Sequence, residues 1–288
     1  LYSFSEIECR EIFNLLYRFD GVDEMRSRHL TLIELIVVLT ILVALGGIAI
    51  GLAPDLLTRT HVAASVTNVT EVTKAFYTYT ILNSGRIPSG FDSLVDGTSS
   101  SIYSALPGRT EYTALTPSAI DTALGLAGGT SEAAFISAGL TQVYPMNNAI
   151  VPPPNGTGSG NATFDVDYGA PVLLDSNPPL ATIAPLNINR VFNRDTTGKI
   201  YIVFGVGSAC TIIGEESSGG LVEPPIHFGD TPNTVSNRAY TRYLAIYSIE
   251  ADGTEAVIKY VGSCAPHENG LEANSAHLEE WYNANAGN

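Results

Sequence analysis

The sequence predicts an α+β protein: a long, kinked N-terminal α-helix packed on a C-terminal head with an antiparallel β-sheet. Three observations predict it. Residues 30–53, LTLIELIVVLTILVALGGIAIGLA, are apolar except for Glu34. Beyond Pro54, residues Leu56, Leu57, Val62, Val66, Val69, Val72 and Phe76 recur at three- and four-residue spacings, the pattern of one buried helix face. Late runs such as IYIVFGVG and AVIKYVGSC are rich in β-branched and aromatic residues, as strands are.

Taken in order, residues 1–29 read as a leader or upstream extension. Met25 opens a basic stub, MRSRH, directly ahead of the apolar run, which suggests that translation starts there. Basic residues in this position hold an N-terminal flank on the cytoplasmic side of a membrane. Residues 30–82 form the long helix, with 30–53 as its hydrophobic membrane or filament core. At about 1.5 Å per residue it is about 80 Å long if unbroken. Gly46, Gly47, Gly51 and Pro54 predict a kink or local melting, because glycine lowers helix propensity and proline removes a backbone donor. Asn83-Ser84-Gly85, followed by Pro88, supplies a helix stop.

Residues 83–288 make the globular αβ head. Short helical pieces are expected around 113–126 and 131–139, and loops at 151–164 and 176–185, where Pro, Gly and Asn concentrate. Two hairpins are expected, one turning at Asp195–Gly198 and one at Ala251–Gly253. Residues 268–283 read as a short terminal helix. Cys210 and Cys264 each follow a β-rich run, which favours a disulfide between two neighbouring strand ends; two separate buried thiols are the alternative. Cys9 is left over.

The run Leu30-Thr31-Leu32-Ile33-Glu34-Leu35-Ile36-Val37-Val38 resembles the N-terminal signature of bacterial type IV pilins and of the pseudopilins of type II secretion. The matching parts are Arg26 and Arg28 in the leader, Leu30 at the mature start, Thr31, and Glu34 as the acid five residues in. Where those families are cut after a glycine, this chain has His29. Asn83 to Pro88, with Phe91 and Leu94-Val95, is similar to the segment after the long helix of major pseudopilins; an ordinary helix stop accounts for its Gly and Pro equally well.

The resemblance implies a pilin-like fold and leader cleavage between His29 and Leu30 by a prepilin peptidase. It implies assembly through Leu30, Thr31 and Glu34, with the Glu34 carboxylate pairing the N-terminal amine of a neighbouring subunit. An unpaired carboxylate in an apolar bundle costs several kcal/mol, so such pairing fixes the stagger between helices. The expected function is a structural subunit of a type IV pilus-like filament. It would be a homopolymer built by a pilus assembly machinery, held in the inner membrane first and exposed at the cell surface afterwards. The alternatives are a pseudopilin of a type II secretion system, periplasmic in that case, and a non-polymerising membrane-anchored binding domain.

Other classes fare worse. A formal charge of −15, with only 14 Lys and Arg, leaves no basic stripe to replace counterions, so no nucleic-acid partner is expected. His29, His61, His227, His267 and His277 lack metal spacing, Cys264-Ala-Pro-His267 lacks the second cysteine of a haem-attachment motif, and no P-loop or GxSxG occurs. The chain is not expected to be an enzyme or to carry a cofactor or a metal. Asp165, Asp167, Asp195 and Asp252 are candidates for calcium, which major pseudopilins hold in a head loop; Asp195 and Asp252 read better as turn residues.

Overall fold

The computed structural model describes residues 32–147, 170–214, 220–226, 240–267 and 270–272, without the side chains of 46, 48–66 and 267. The chain divides into two compact units, Leu1–Ala53 and Pro54–Asn288. Helix α1 (Leu32–Leu82) contributes to both, and its helical assignment passes unbroken through Gly46, Gly47, Gly51 and Pro54. The melting expected at these positions does not occur. A proline costs about 3 kcal/mol inside a helix, which the turns of helix formers on either side can offset. No helix among the described residues is long and apolar enough to cross a membrane.

Helix α1 ends where its backbone finds other partners. The Asn83 amide and its side-chain Nδ2 both donate to the Tyr79 carbonyl at 2.9 Å. The Gly85 amide reaches back to the Thr80 carbonyl at 2.7 Å, with Gly85 at φ 86°. That left-handed conformation is open to glycine at no steric cost, which closes the last turn.

The second unit is organised around a sheet of nine strands. They are β1 (Phe91–Asp96), β2 (Tyr112–Leu115), β3 (Gln142–Met146), β4 (Val172–Leu173), β5 (Leu180–Ile183), β6 (Lys199–Gly205), β7 (Leu244–Asp252), β8 (Glu255–His267) and β9 (Gly270–Glu272). The main path runs β4-β3-β1-β6-β7-β8-β9, and β2 joins through β5, which also pairs with β6. Between β1 and β3 the chain passes through helices α2 (Pro117–Leu124) and α3 (Thr130–Ala138). This crossover lets β1 and β3 run parallel, while the other strand pairs are antiparallel.

This overturns the fold expected from the sequence. The chain is not the pilin-like α+β arrangement of a long kinked helix on an antiparallel head: its centre is a large mixed sheet with few helices. Parallel pairing needs a crossover connection, and α2 and α3 provide one that strand-by-strand patterning does not reveal.

Two further expectations fail. The hairpin placed at Asp195–Gly198 is absent, because the residues before it form helix α4 (Pro185–Phe192), with proline in its first turn and Asn193 ending it at φ 47°. The terminal helix placed at 268–283 meets strand β9 at Gly270–Glu272, and its remaining residues lie outside the described ones. The second hairpin is present: β7 and β8 pair from Asp252↔Glu255 onward, joined by Gly253 and Thr254.

Side chains alternate across the sheet with period two, so each strand feeds two cores. Ile202, Phe204, Tyr247 and Ile249 face one core, where Val72 and Phe76 of α1 pack with them. Tyr201, Val203, Leu244 and Ile246 face the other, with Ile188 of α4. Phe76 stacks between Phe91 and Tyr260, at ring-centroid distances of 5.9 and 5.0 Å. Buried Asp121 ties α2 to α3: its carboxylate accepts from the amides of Gly129 at 2.8 Å and Ser131 at 2.7 Å. An acid there satisfies orphan donors at the start of α3 and complements the helix dipole.

Candidate functional site

Two surfaces stand out, one in each unit. In the first, every described side chain from Leu32 to Leu45 is exposed. Val37, the least exposed large apolar residue of this run, is 49 % open, and Leu32 is 77 % open. A helix apolar all round its circumference is one that functions buried. Glu34 sits in the first turn of α1, where the helix dipole favours an anion. It is the single charged residue between Leu32 and Leu45. His29, Leu30 and Thr31, expected at the cleavage and assembly site, lie outside the described residues.

The second surface is a groove of about 500 Å³ between the second half of α1, the end of α4 and strand β8. Val69, Tyr77, Phe192 and Val261 give it apolar walls, and Lys74 is the single charged residue lining it among those described. Helical spacing brings Thr70, Thr73, Lys74 and Tyr77 of α1 to the same wall. The α4 wall depends on Gly262, since a Cβ there would come 2.5 Å from the Phe192 ring. Beneath the groove, the Tyr260 ring meets Tyr77 edge-on at 5.6 Å, and its hydroxyl bonds Ser263 Oγ at 2.5 Å. Burial pushes the Tyr260 phenol well up, so it stays protonated as a hydrogen-bonding group.

Sequence reasoning missed this groove. Its residues come from three segments far apart in the chain, and the one available signal was the amphipathic spacing of α1.

A third feature lies within the core. Tyr240 donates to Asp92 Oδ2 at 2.6 Å, both residues being buried. Tyr103 packs edge-on against Tyr240 at 6.5 Å, and its phenol is raised first by burial and then by the Asp92 charge. Gly205 makes room for the pair, as a Cβ there would fall 1.7 Å from the Tyr240 oxygen.

The expected disulfide is not formed: Cys210 and Cys264 are free and buried. Cys210 belongs to the core beneath α1 and Cys264 to the core on the other face. The sheet itself therefore separates the two thiols.

Asp195 Oδ1 accepts from the Thr197 amide at 3.1 Å in a turn, and Asp252 closes the β7–β8 hairpin. Asp165 and Asp167 lie outside the described residues. Among the described residues no group of three or more His, Cys, Asp and Glu side chains is placed to hold a metal ion. Comparison with known proteins finds no matching family model, no matching curated protein and no matching solved structure.

Proposed function

We propose that this chain is a structural subunit that assembles with copies of itself through the apolar N-terminal segment of α1, forming a type IV pilus-like surface filament. The observation carrying this reading is the unbroken exposure of large aliphatic side chains from Leu32 to Leu45. Full burial of one such side chain contributes about 1.5–3 kcal/mol. Summed over the run, even half of that is on the order of 10 kcal/mol, comparable with the ~4–15 kcal/mol that association costs. Because exposed residues lie on all sides of the helix, several neighbours cover them better than one. Before assembly, lipid of an inner membrane would cover the same surface.

The residues around Glu34 support the filament form through their resemblance to pilin signatures. On that reading a prepilin peptidase acts between His29 and Leu30, and Glu34 sets the axial stagger of copies. Sedimentation of the full chain with Ile41→Asp tests it. The wild type should pellet as polymer and the variant stay in the supernatant, with head stability unchanged. Equal pelleting of the two would remove the basis of the proposal.

A further inference from the structure

We infer that the segment following β9 folds back onto its own chain and closes the groove between α1, α4 and β8, seating Leu278, Trp281 and Tyr282 there with Glu279 against Lys74. Residues 273–288 lie outside the described ones, and the first argument is where β9 delivers them. Strand β9 pairs antiparallel with β8 at Gly270↔His267, Leu271↔Pro266 and Glu272↔Ala265. Each further residue therefore moves back along β8 toward Ser263, Gly262 and Val261, which form the groove's β8 wall. Ser263 follows Ala265 in that direction by two residues, about 7 Å at the rise of a strand. Among the described residues no strand lies beside β8 on this edge from Val261 to Ser263. An open sheet edge is a template for another chain, and proteins blunt it by covering it with a helix or loop.

Complementarity supplies the second argument. In helical conformation Leu278, Trp281 and Tyr282, at i, i+3 and i+4, share one face. Glu279 borders that face, about 100° round the helix from Leu278. The groove offers the matching surface: apolar walls from Val69, Tyr77, Phe192 and Val261, and a single cation, Lys74. Lys74 is exposed and enters no ion pair among the described residues. Tyr77 is left 54 % open on the α1 wall, an aromatic ring with one side uncovered. A volume of about 500 Å³ takes a few large side chains but not a whole helix, which is the helix-in-groove mode of recognition. Six residues lead from Glu272 to Leu278 and span up to about 20 Å when extended, more than the four-residue run of β8 from Ala265 to Val261. Seated there, the segment covers the open edge of β8 and fastens the second half of α1 to the sheet.

Trp281 is the single tryptophan of the chain, so its fluorescence in the full chain is the first test. Its emission should lie to the blue of free tryptophan, with weak quenching by acrylamide. Lys74→Glu and Glu279→Lys should each shift the emission to the red and raise the quenching constant about threefold or more, and the double variant should restore most of the shielding. Thermal melting of Lys74→Glu checks that the head stays folded, and Glu279→Lys alters the segment alone. The second test places a photo-crosslinker at Thr70 in a mixture of isotopically light and heavy chains. Cross-links to residues 278–282 of the same chain are expected. Mixed light–heavy cross-links, or capture of another segment, would overturn the inference, as would unchanged emission in both single variants. The inference concerns one chain alone, so these outcomes leave the filament reading standing, and equal pelleting in the Ile41→Asp test leaves this one standing.

Discussion

Tyr240 and Asp92 stand 148 positions apart in the chain, yet the Tyr240 hydroxyl donates to the Asp92 carboxylate at 2.6 Å inside the core. Removing that donor takes a partner from a buried charge, whereas removing a hydroxyl that bonds nothing does not. Tyr247 supplies the contrast, because its buried hydroxyl has no hydrogen-bond partner among the described residues. Tyr240→Phe should lower stability by about 1–3 kcal/mol, and Tyr247→Phe should leave it unchanged or raise it slightly. Urea unfolding of the two variants, followed by tyrosine fluorescence, checks the difference. Equal losses would show that the Asp92 contact carries no special weight.

Gly205 should resist the smallest enlargement. An added Cβ would overlap the Tyr240 oxygen at 1.7 Å and approach Asp92 Cβ at 3.0 Å. Gly205→Ala therefore displaces the Tyr240 ring and should cost about 1–3 kcal/mol. If Tyr240 can move away freely, Gly205→Ala combined with Tyr240→Phe will show two independent, additive losses. Coupled behaviour, with the double variant less destabilised than the sum, is the expected outcome.

The thiols of Cys210 and Cys264 should be silent in the native state. Burial pushes both well above the usual thiol range, and the thiolate is the reacting form. With Cys9→Ser in the background, a thiol reagent should label neither residue until denaturant is added. A reducing agent should leave the melting temperature unchanged, since neither thiol is bridged. A drop on reduction would revive the disulfide.

At the hairpin end of the sheet, Glu250 lies between two lysines. The hydrogen bond from Lys259, more than that from Lys199, holds its carboxyl below the usual glutamate range. Lys199 Nζ stands 3.3 Å from Glu250 Oε2, and Lys259 reaches Oε1. With its folded pKa depressed, Glu250 contributes stability above its unfolded value of about 4.3, and this is lost as pH falls through the folded value. Glu250→Gln should flatten part of the acid limb of the stability curve, by about 0.2–1 kcal/mol for so open a group. Unfolding midpoints measured at successive pH values from neutral down to about 3 would reveal it, and a curve identical to the wild type would refute it.

Features written into short stretches are legible in the sequence. Helix α2 lies within the piece expected around 113–126, whose first residues are strand β2 instead, α3 matches the piece expected around 131–139 to within a residue at each end, and the β7–β8 hairpin turns beside Gly253. Local periodicity, turn chemistry and caps act over a few residues, so they leave a mark in the order of the amino acids. The candidate surfaces divide in the same way. The apolar run after Glu34 is visible by eye, whereas the groove around Lys74 joins α1, α4 and β8.

Long-range pairing decided the rest. Nothing in the chemistry of Phe91–Asp96 or Gln142–Met146 names the other as a parallel neighbour, and that choice makes the sheet mixed. The run from Arg190 reads as a strand leading into a hairpin; packing of Ile188 against the sheet makes Pro185–Phe192 a helix instead. Cys210 and Cys264 follow similar runs, yet they belong to different cores: Cys264 lies within β8, whereas Cys210 sits in a turn beyond the end of β6, where strand alternation no longer sets its side. Sequence alone determined where apolar surface and turns lie along the chain. The tertiary structure decided which of them meet, since the burial driving those meetings is non-directional and becomes specific only through the register of the whole sheet.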